Sequence, residues 1–280
     1  MKLQTIVDIA PSRWKIGYED KILLVGSCFA DSIGQVMSEH YLQVTCNPFG
    51  TLYNPLSIAQ ALQMTEMPLL VEHEGLWHSM SHHGSFSRPT REEATQAISE
   101  SVSAMQKALS EATVIIITFG TAWVYEMRAE WQTGSGASPV VVGNCHKLPA
   151  DCFTRRRLTA EEIVAAWSPI IERYADKHWL FTVSPIRHVK DGLHENQLSK
   201  ATLLQAVDML SGITYFPSYE ILLDELRDYR FCAEDLVHPS TTAIRYIWER
   251  FVDTFMTPQT RNQLRLENKR WKHEHHIPLH

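Results

Sequence analysis

The sequence predicts a three-layer α/β/α fold built on a parallel sheet. Three observations carry that expectation. The apolar runs are short, β-branched and free of polar alternation, as expected of strands buried on both faces. Stretches of helical period lie between them, so strands and helices alternate. The 280 residues suffice for one large core, since single cores stop growing near ~250–300 residues.

In chain order, residues 22–25 (Ile-Leu-Leu-Val) form the first expected strand. Residues 31–40 come next, with Ile33, Val36 and Met37 on one helical face. Residues 91–109 repeat the helical period through Ala94, Ile98, Val102, Met105 and Leu109. Residues 114–119 are the longest apolar run and the second strand. Thr159 with Glu162 three residues on is a capping-box start for a third helix. Residues 179–183 and 213–216 supply two more strands. Residues 199–210 and 241–255 supply two more helices. Residues 73–90 and 130–150 are rich in His, Ser and Gly and are expected to be loop insertions, which in compact domains often serve function. The expected organisation is one domain over residues 1–260 and a charged tail over 261–280.

Hydrophobic residues make up 44% of the chain and charged residues 21%, the balance of a soluble globular protein. The net charge of −6 argues against a nucleic-acid partner, which calls for clustered Lys and Arg. Arg155-Arg156-Arg157 is one short basic run, expected to mark a solvated approach to a helix. The five cysteines are odd in number and form no C-x-x-C pair, so free thiols in a reducing compartment are expected. The start of the chain shows no apolar signal core, and no run approaches the ~20 residues that span a bilayer. A cytoplasmic location without membrane partners is the expectation, and the oligomeric state is left open.

Two places carry candidate chemistry. Ser27 directly follows the first strand, after Gly26, and precedes a helix. A hydroxyl there lies at the carboxyl edge of a parallel sheet, where open α/β sheets bind ligands, and beside free helix N–H groups that favour an oxyanion. The plain alternative is that Ser27 caps the helix. The second place is Asp235-Leu236-Val237-His238-Pro239. A carboxylate three residues before a histidine can fold back onto Nδ1–H, fix the tautomer and leave Nε2 to take a proton. Cys28 is expected to be a packed thiol, because adjacent residues of a helical turn point about 100° apart and only one can face the site. His78 and His82, with His73 and His83 nearby, would share a face and could hold zinc if helical, but Gly75 and Gly84 speak against a helix there. Arg187 and His188 follow a strand. They could hold an anionic or sugar-like substrate, or Arg187 could pair with a buried carboxylate.

Gly26-Ser27-Cys28-Phe29-Ala30 resembles the signature of the GSCFA family, which is similar to the SGNH (GDSL-type) hydrolases. Four further blocks add to the resemblance: residues 47–55, 118–125, 144–147 and 184–188. The resemblance implies a flavodoxin-like SGNH hydrolase fold and a triad of Ser27 as nucleophile, His238 as base and Asp235 as its orienting partner. One element departs from the pattern. The usual block-three Asn, an oxyanion donor, is replaced by Gly120-Thr121-Ala122, and losing one such donor costs ~10²–10³ in rate. Gly50, Thr121 and Asn54 are the expected oxyanion groups. Asn144, His146, Arg187 and His188 are expected to bind the substrate.

The expected function is therefore a serine esterase-type hydrolase. It would cleave a small-molecule or carbohydrate ester, such as an O-acyl group on a sugar, with no cofactor and no metal. An O-acyltransferase would use the same triad with an alcohol in place of water. A non-catalytic carbohydrate-binding module on a degenerate hydrolase fold is the rival from another class. A metal hydrolase using the histidines of residues 73–83 is the weakest alternative.

Overall fold

The structure is a computed structural model, and it describes residues 4–132 and 139–275. Five strands, β1 (Lys21–Gly26), β2 (Gln43–Cys46), β5 (Val114–Phe119), β9 (His178–Val183) and β10 (Ile213–Tyr215), pair in parallel in the order β2-β1-β5-β9-β10. Counted by sheet strand, this is the 2-1-3-4-5 order of doubly wound sheets. Its switch point lies between β1 and β5, and ligands in such sheets bind outside the carboxyl ends of the strands there.

Residues of one strand alternate between two cores, because successive side chains leave a strand on opposite faces. Leu23, Val25, Ile115, Ile117, Phe119, Trp179 and Phe181 face a core closed by α2 (Pro55–Gln63), α3 (Arg91–Glu111), α4 (Ala160–Arg173) and α5 (Leu193–Met209). Ile22, Leu24, Val114, Ile116 and Leu180 face the other, closed by α1 (Cys28–Ser38) and α7 (Thr241–Phe255). A single turn, α6 (Ser218–Glu220), comes after β10, and its Ser218 hydroxyl donates to the Val183 carbonyl at the end of β9. With helices on both faces, the α/β/α expectation stands. The capping box at Thr159 and Glu162 forms as expected.

Three expectations need correction. Where the first insertion is expected from residue 73, β3 (Leu70–His73) and β4 (Leu76–Ser79) form a hairpin rather than a plain loop, turned on Glu74 and Gly75, both at positive φ. Residues 133–138 of the second insertion lie outside the described residues. Beyond them, β7 (Val140–Val142) pairs with one edge of β6 (Trp123–Met127), and β8 (Phe153–Arg157) pairs with the other. Arg155, Arg156 and Arg157 are thus strand residues, and each meets an acid: Asp191, Glu126 with Glu162, and Glu195 respectively. The third concerns the tail. Its residues up to 274 are helical, in α8 (Pro258–Glu274), which buries Leu264 and joins Tyr41 through Glu274 and Arg270. Among the described residues no helix is long and apolar enough to cross a membrane. All five cysteines are free thiols.

Candidate active site

The site grows from the switch point. Gly26 closes β1 at φ +148°, and a Cβ there would lie 2.2 Å from the Thr118 carbonyl oxygen. No other residue fits so close a backbone approach. The Gly26 N–H donates to Asn47 Oδ1 at 2.8 Å, and Asn47 Nδ2 donates to Asp31 Oδ1 at 2.6 Å. The Ser27 N–H donates to Thr118 Oγ1 at 3.0 Å. The backbone of this turn is held from several sides by the side chains of Asn47, Asp31 and Thr118.

Ser27 occupies the N-cap position of α1, yet its side chain caps nothing. The residue is 1% exposed, and among the described residues its hydroxyl meets only Thr118 Oγ1, at 3.3 Å. Cys28, one residue on, lines a cavity of about 640 Å³ outside the carboxyl edge of the sheet. Tyr53, Asn54, Thr121, Trp123, Asn144, Arg187, His188, Asp235 and His238 line the same cavity.

Asp235 and His238 come together as the spacing predicts. Asp235 Oδ1 accepts the N–H groups of Val237 (2.9 Å) and His238 (3.0 Å), and Oδ2 meets His238 Nδ1 at 2.5 Å. The backbone N–H and ring N–H of His238 hold the Asp235 carboxyl at about 2, well below the carboxylate range. It is therefore ionised at neutral pH, so Nδ1 is the donor and Nε2 is left to accept a proton. Both side chains are about half exposed. Arg187 supports the loop from behind, since its guanidinium donates to the Leu236 carbonyl and lies over the Tyr229 ring. Among the described residues Arg187 pairs with no carboxylate; it grips the loop that carries His238 instead.

The remaining expected residues divide. The Gly50 N–H donates to Asn47 O at 2.7 Å, and its α-carbon packs on His83, away from the cavity wall. Thr121 reaches the cavity, but its hydroxyl is shared between Ser199 Oγ (3.1 Å) and the Trp123 N–H (3.1 Å). Asn54 caps α2 through Ser57, and its Nδ2 donates one hydrogen to Ser57 Oγ, leaving the second for a ligand. Asn144 is on the wall and also accepts the His146 N–H at 2.9 Å. His146 itself turns inward. Its Nε2 meets Ser79 O at 2.7 Å, its ring lies against His78, and burial lowers its pKa to about 4. His188 is on the wall, lowered to about 4 by burial and then by the Lys200 charge, and its Nε2 is unpartnered among the described residues.

His78 meets Ser87 Oγ and His73 O, and His82 meets Ser79 Oγ and Ser101 Oγ. Every ring nitrogen of that pair is engaged, which leaves no lone pair for zinc. The chain segment is strand and turn, not the helix that a shared face requires.

Sequence reasoning missed Lys200. It is buried at 1% exposure, with Nζ donating to Gly120 O (2.6 Å) and Ser184 O (2.8 Å), so it ties the exits of β5 and β9 together beneath the cavity. Burial lowers its pKa to about 7. Its one signal is spacing: Asn196, Ser199, Lys200 and Leu203 share the inward face of α5. Trp123, Tyr125 and Arg155, which bring the three-stranded sheet into the cavity wall, were missed as site residues too.

The GSCFA family model matches residues 21–251, most of the chain and every residue of this site. The chain belongs to the GSCFA family. No curated protein and no solved structure matches it. The GSCFA signature at residues 26–30 is thus the strand-to-helix turn on the cavity floor, and the match ends within α7, after the loop of residues 235–238.

Proposed function

We propose that this cavity is the active site of an acyl-ester hydrolase, with a small-molecule or carbohydrate ester as substrate. One observation carries the reading: the Asp235–His238 pair, with Nδ1 committed and Nε2 open, stands on the wall of the cavity floored by the β1–α1 turn. His238 takes a proton from a nucleophile on that turn and returns it to the leaving alcohol. Asp235 holds the ring in the required tautomer. The cavity volume of about 640 Å³ suits a sugar-sized ester. Tyr53, Trp123 and Tyr125 offer apolar ring faces for such a ligand, and His188 and Asn144 offer polar groups.

The test is turnover of short-chain acyl esters, p-nitrophenyl acetate and a mono-acetylated methyl xyloside, by wild type, His238→Ala and Asp235→Asn. Wild-type turnover that drops ~10²–10⁴-fold in His238→Ala supports the reading. Equal rates in wild type and His238→Ala would remove it, as would no wild-type turnover above the uncatalysed rate.

A further inference from the structure

We propose that Cys28, rather than Ser27, is the nucleophile, and that its thiol carries the acyl group. The inference rests on the acyl-hydrolase reading and names the attacking atom within it.

Four observations converge. Cys28 lines the cavity together with Asp235 and His238, whereas Ser27 is absent from its lining. Ser27 is sealed between Thr118 and Gly120, with its Cβ 3.5 Å from the point where a Gly120 Cβ would stand. The Ser27 hydroxyl is turned to Thr118 Oγ1 instead, on a residue only 1% exposed. Ser27 has extended backbone and Cys28 opens the helix, so the two successive side chains leave the turn in different directions, and the packing that hides one presents the other.

The third observation concerns the oxyanion. A nucleophile's own N–H is a usual donor to the tetrahedral oxygen. That of Ser27 is spent on Thr118. Those of Cys28 and Phe29 have no backbone acceptor among the described residues and lie against the Cys28 sulfur at the start of α1. The fourth is the Lys200 ammonium under the floor, whose charge favours a thiolate at Cys28.

At rest the thiol is protonated, since burial first and Asp31 second raise its pKa. It therefore needs the base. His238 Nε2 takes the S–H proton as sulfur bonds to the ester carbonyl carbon. The C–O bond then breaks and the alcohol leaves with the proton from His238, which leaves a thioester on Cys28. Water, deprotonated by His238, attacks the thioester. The acid is released, and the sulfur regains a proton. No redox partner enters.

The experiment maps the acyl group on the full chain. Protein mixed with p-nitrophenyl acetate is quenched in acid within the first turnovers and sequenced by tandem mass spectrometry, with and without neutral hydroxylamine. Acetyl on Cys28, removed by hydroxylamine and replaced in Cys28→Ser by a hydroxylamine-resistant acetyl at the same position, is the expected result. Acetyl on Ser27, or wild-type turnover persisting in Cys28→Ala, would overturn it.

A second measurement decides if no ester is turned over. Iodoacetamide alkylation is read at each of the five cysteines, with Cys145 of the same cavity wall as internal reference. Cys28 reacting faster than Cys145, and slowing about tenfold in His238→Ala, places an activated thiol under His238 whatever its substrate. Equal rates in wild type and His238→Ala remove the thiol from the chemistry. Failure of the ester reading and failure of the thiol assignment are thus separate results.

Discussion

The two halves of the site are built in opposite ways. The β1–α1 turn is buried and held by the core: Gly26 against Thr118, Asn47 on the Gly26 N–H and Lys200 beneath. The loop of residues 235–238 is half exposed and held by its own carboxylate, by Arg187 on the Leu236 carbonyl and by the short bridge of Cys232 with Pro239. A second void of about 180 Å³ lies behind it, sharing Arg187 and Val237 with the main cavity. The proposed attacking group is thus fixed by packing, which cannot shift without cost. The proposed base stands on a segment none of whose four residues is buried, the kind that opens at low free energy. On the proposed reading, a site so divided would admit a bulky ester by moving His238 alone.

The largest expected effect comes from breaking the fixed half. Gly26→Ala puts a Cβ within 2.2 Å of a backbone oxygen at φ +148°, and no flexible side chain can yield. The loss should exceed about 4 kcal/mol, enough to remove most folded protein, as urea denaturation or soluble yield would show. A loss under about 1 kcal/mol would mean the turn is not rigidly held.

That asymmetry also explains how much was legible. The central strands were visible because burial on both faces leaves unbroken apolar runs, as in Val114–Phe119. The edge strand Gln43–Cys46 was not, since half its residues face water. The hairpin of Leu70–Ser79 and the strand under Arg155–Arg157 lie on small outer sheets whose polar residues hide the period. The Asp235–His238 pair was readable because a three-residue spacing is a local geometry. The orientation of Ser27 against Cys28 was not, because it is set by Thr118, ninety-one residues away.

Acid should act on the buried side of the molecule first. Burial holds His82 at about 3 and both His146 and His188 at about 4. Their stabilising contribution is complete above pH 6.5, where the unfolded chain is also neutral. It is lost as pH falls toward 4, because the unfolded chain takes up protons that the folded one refuses. Asp235, depressed to about 2, contributes above its unfolded value of 3.8 and loses that contribution only as pH falls through about 2. Urea unfolding at pH 6.5 and 5.0 should therefore differ by on the order of 5 kcal/mol. Unchanged stability over that window would show these imidazoles protonating in place.

Arg187→Met tests the exposed half. It keeps the apolar stem and removes the grip on the Leu236 carbonyl. Turnover should fall about tenfold, the cost of a mispositioned base, while the thermal midpoint moves by less than about 3 °C. Should the thermal midpoint fall steeply instead, the loop would be part of the core and the contrast between the halves would fail.

The smallest effect belongs to Leu236→Gly. Leu236 sits at φ +57° and is 50% exposed, so its side chain adds strain and little packing. Glycine relieves the strain and adds freedom to the unfolded chain, two effects of opposite sign near ~0.5–1 kcal/mol each. Stability should stay within about 0.5 kcal/mol, and Arg187 still finds the same carbonyl. A small rise in KM with kcat nearly constant would mean that the loop's conformation serves substrate entry. A fall in kcat alone would mean that the strained residue holds Nε2 in line for proton transfer, and the exposed half would then be preorganised after all.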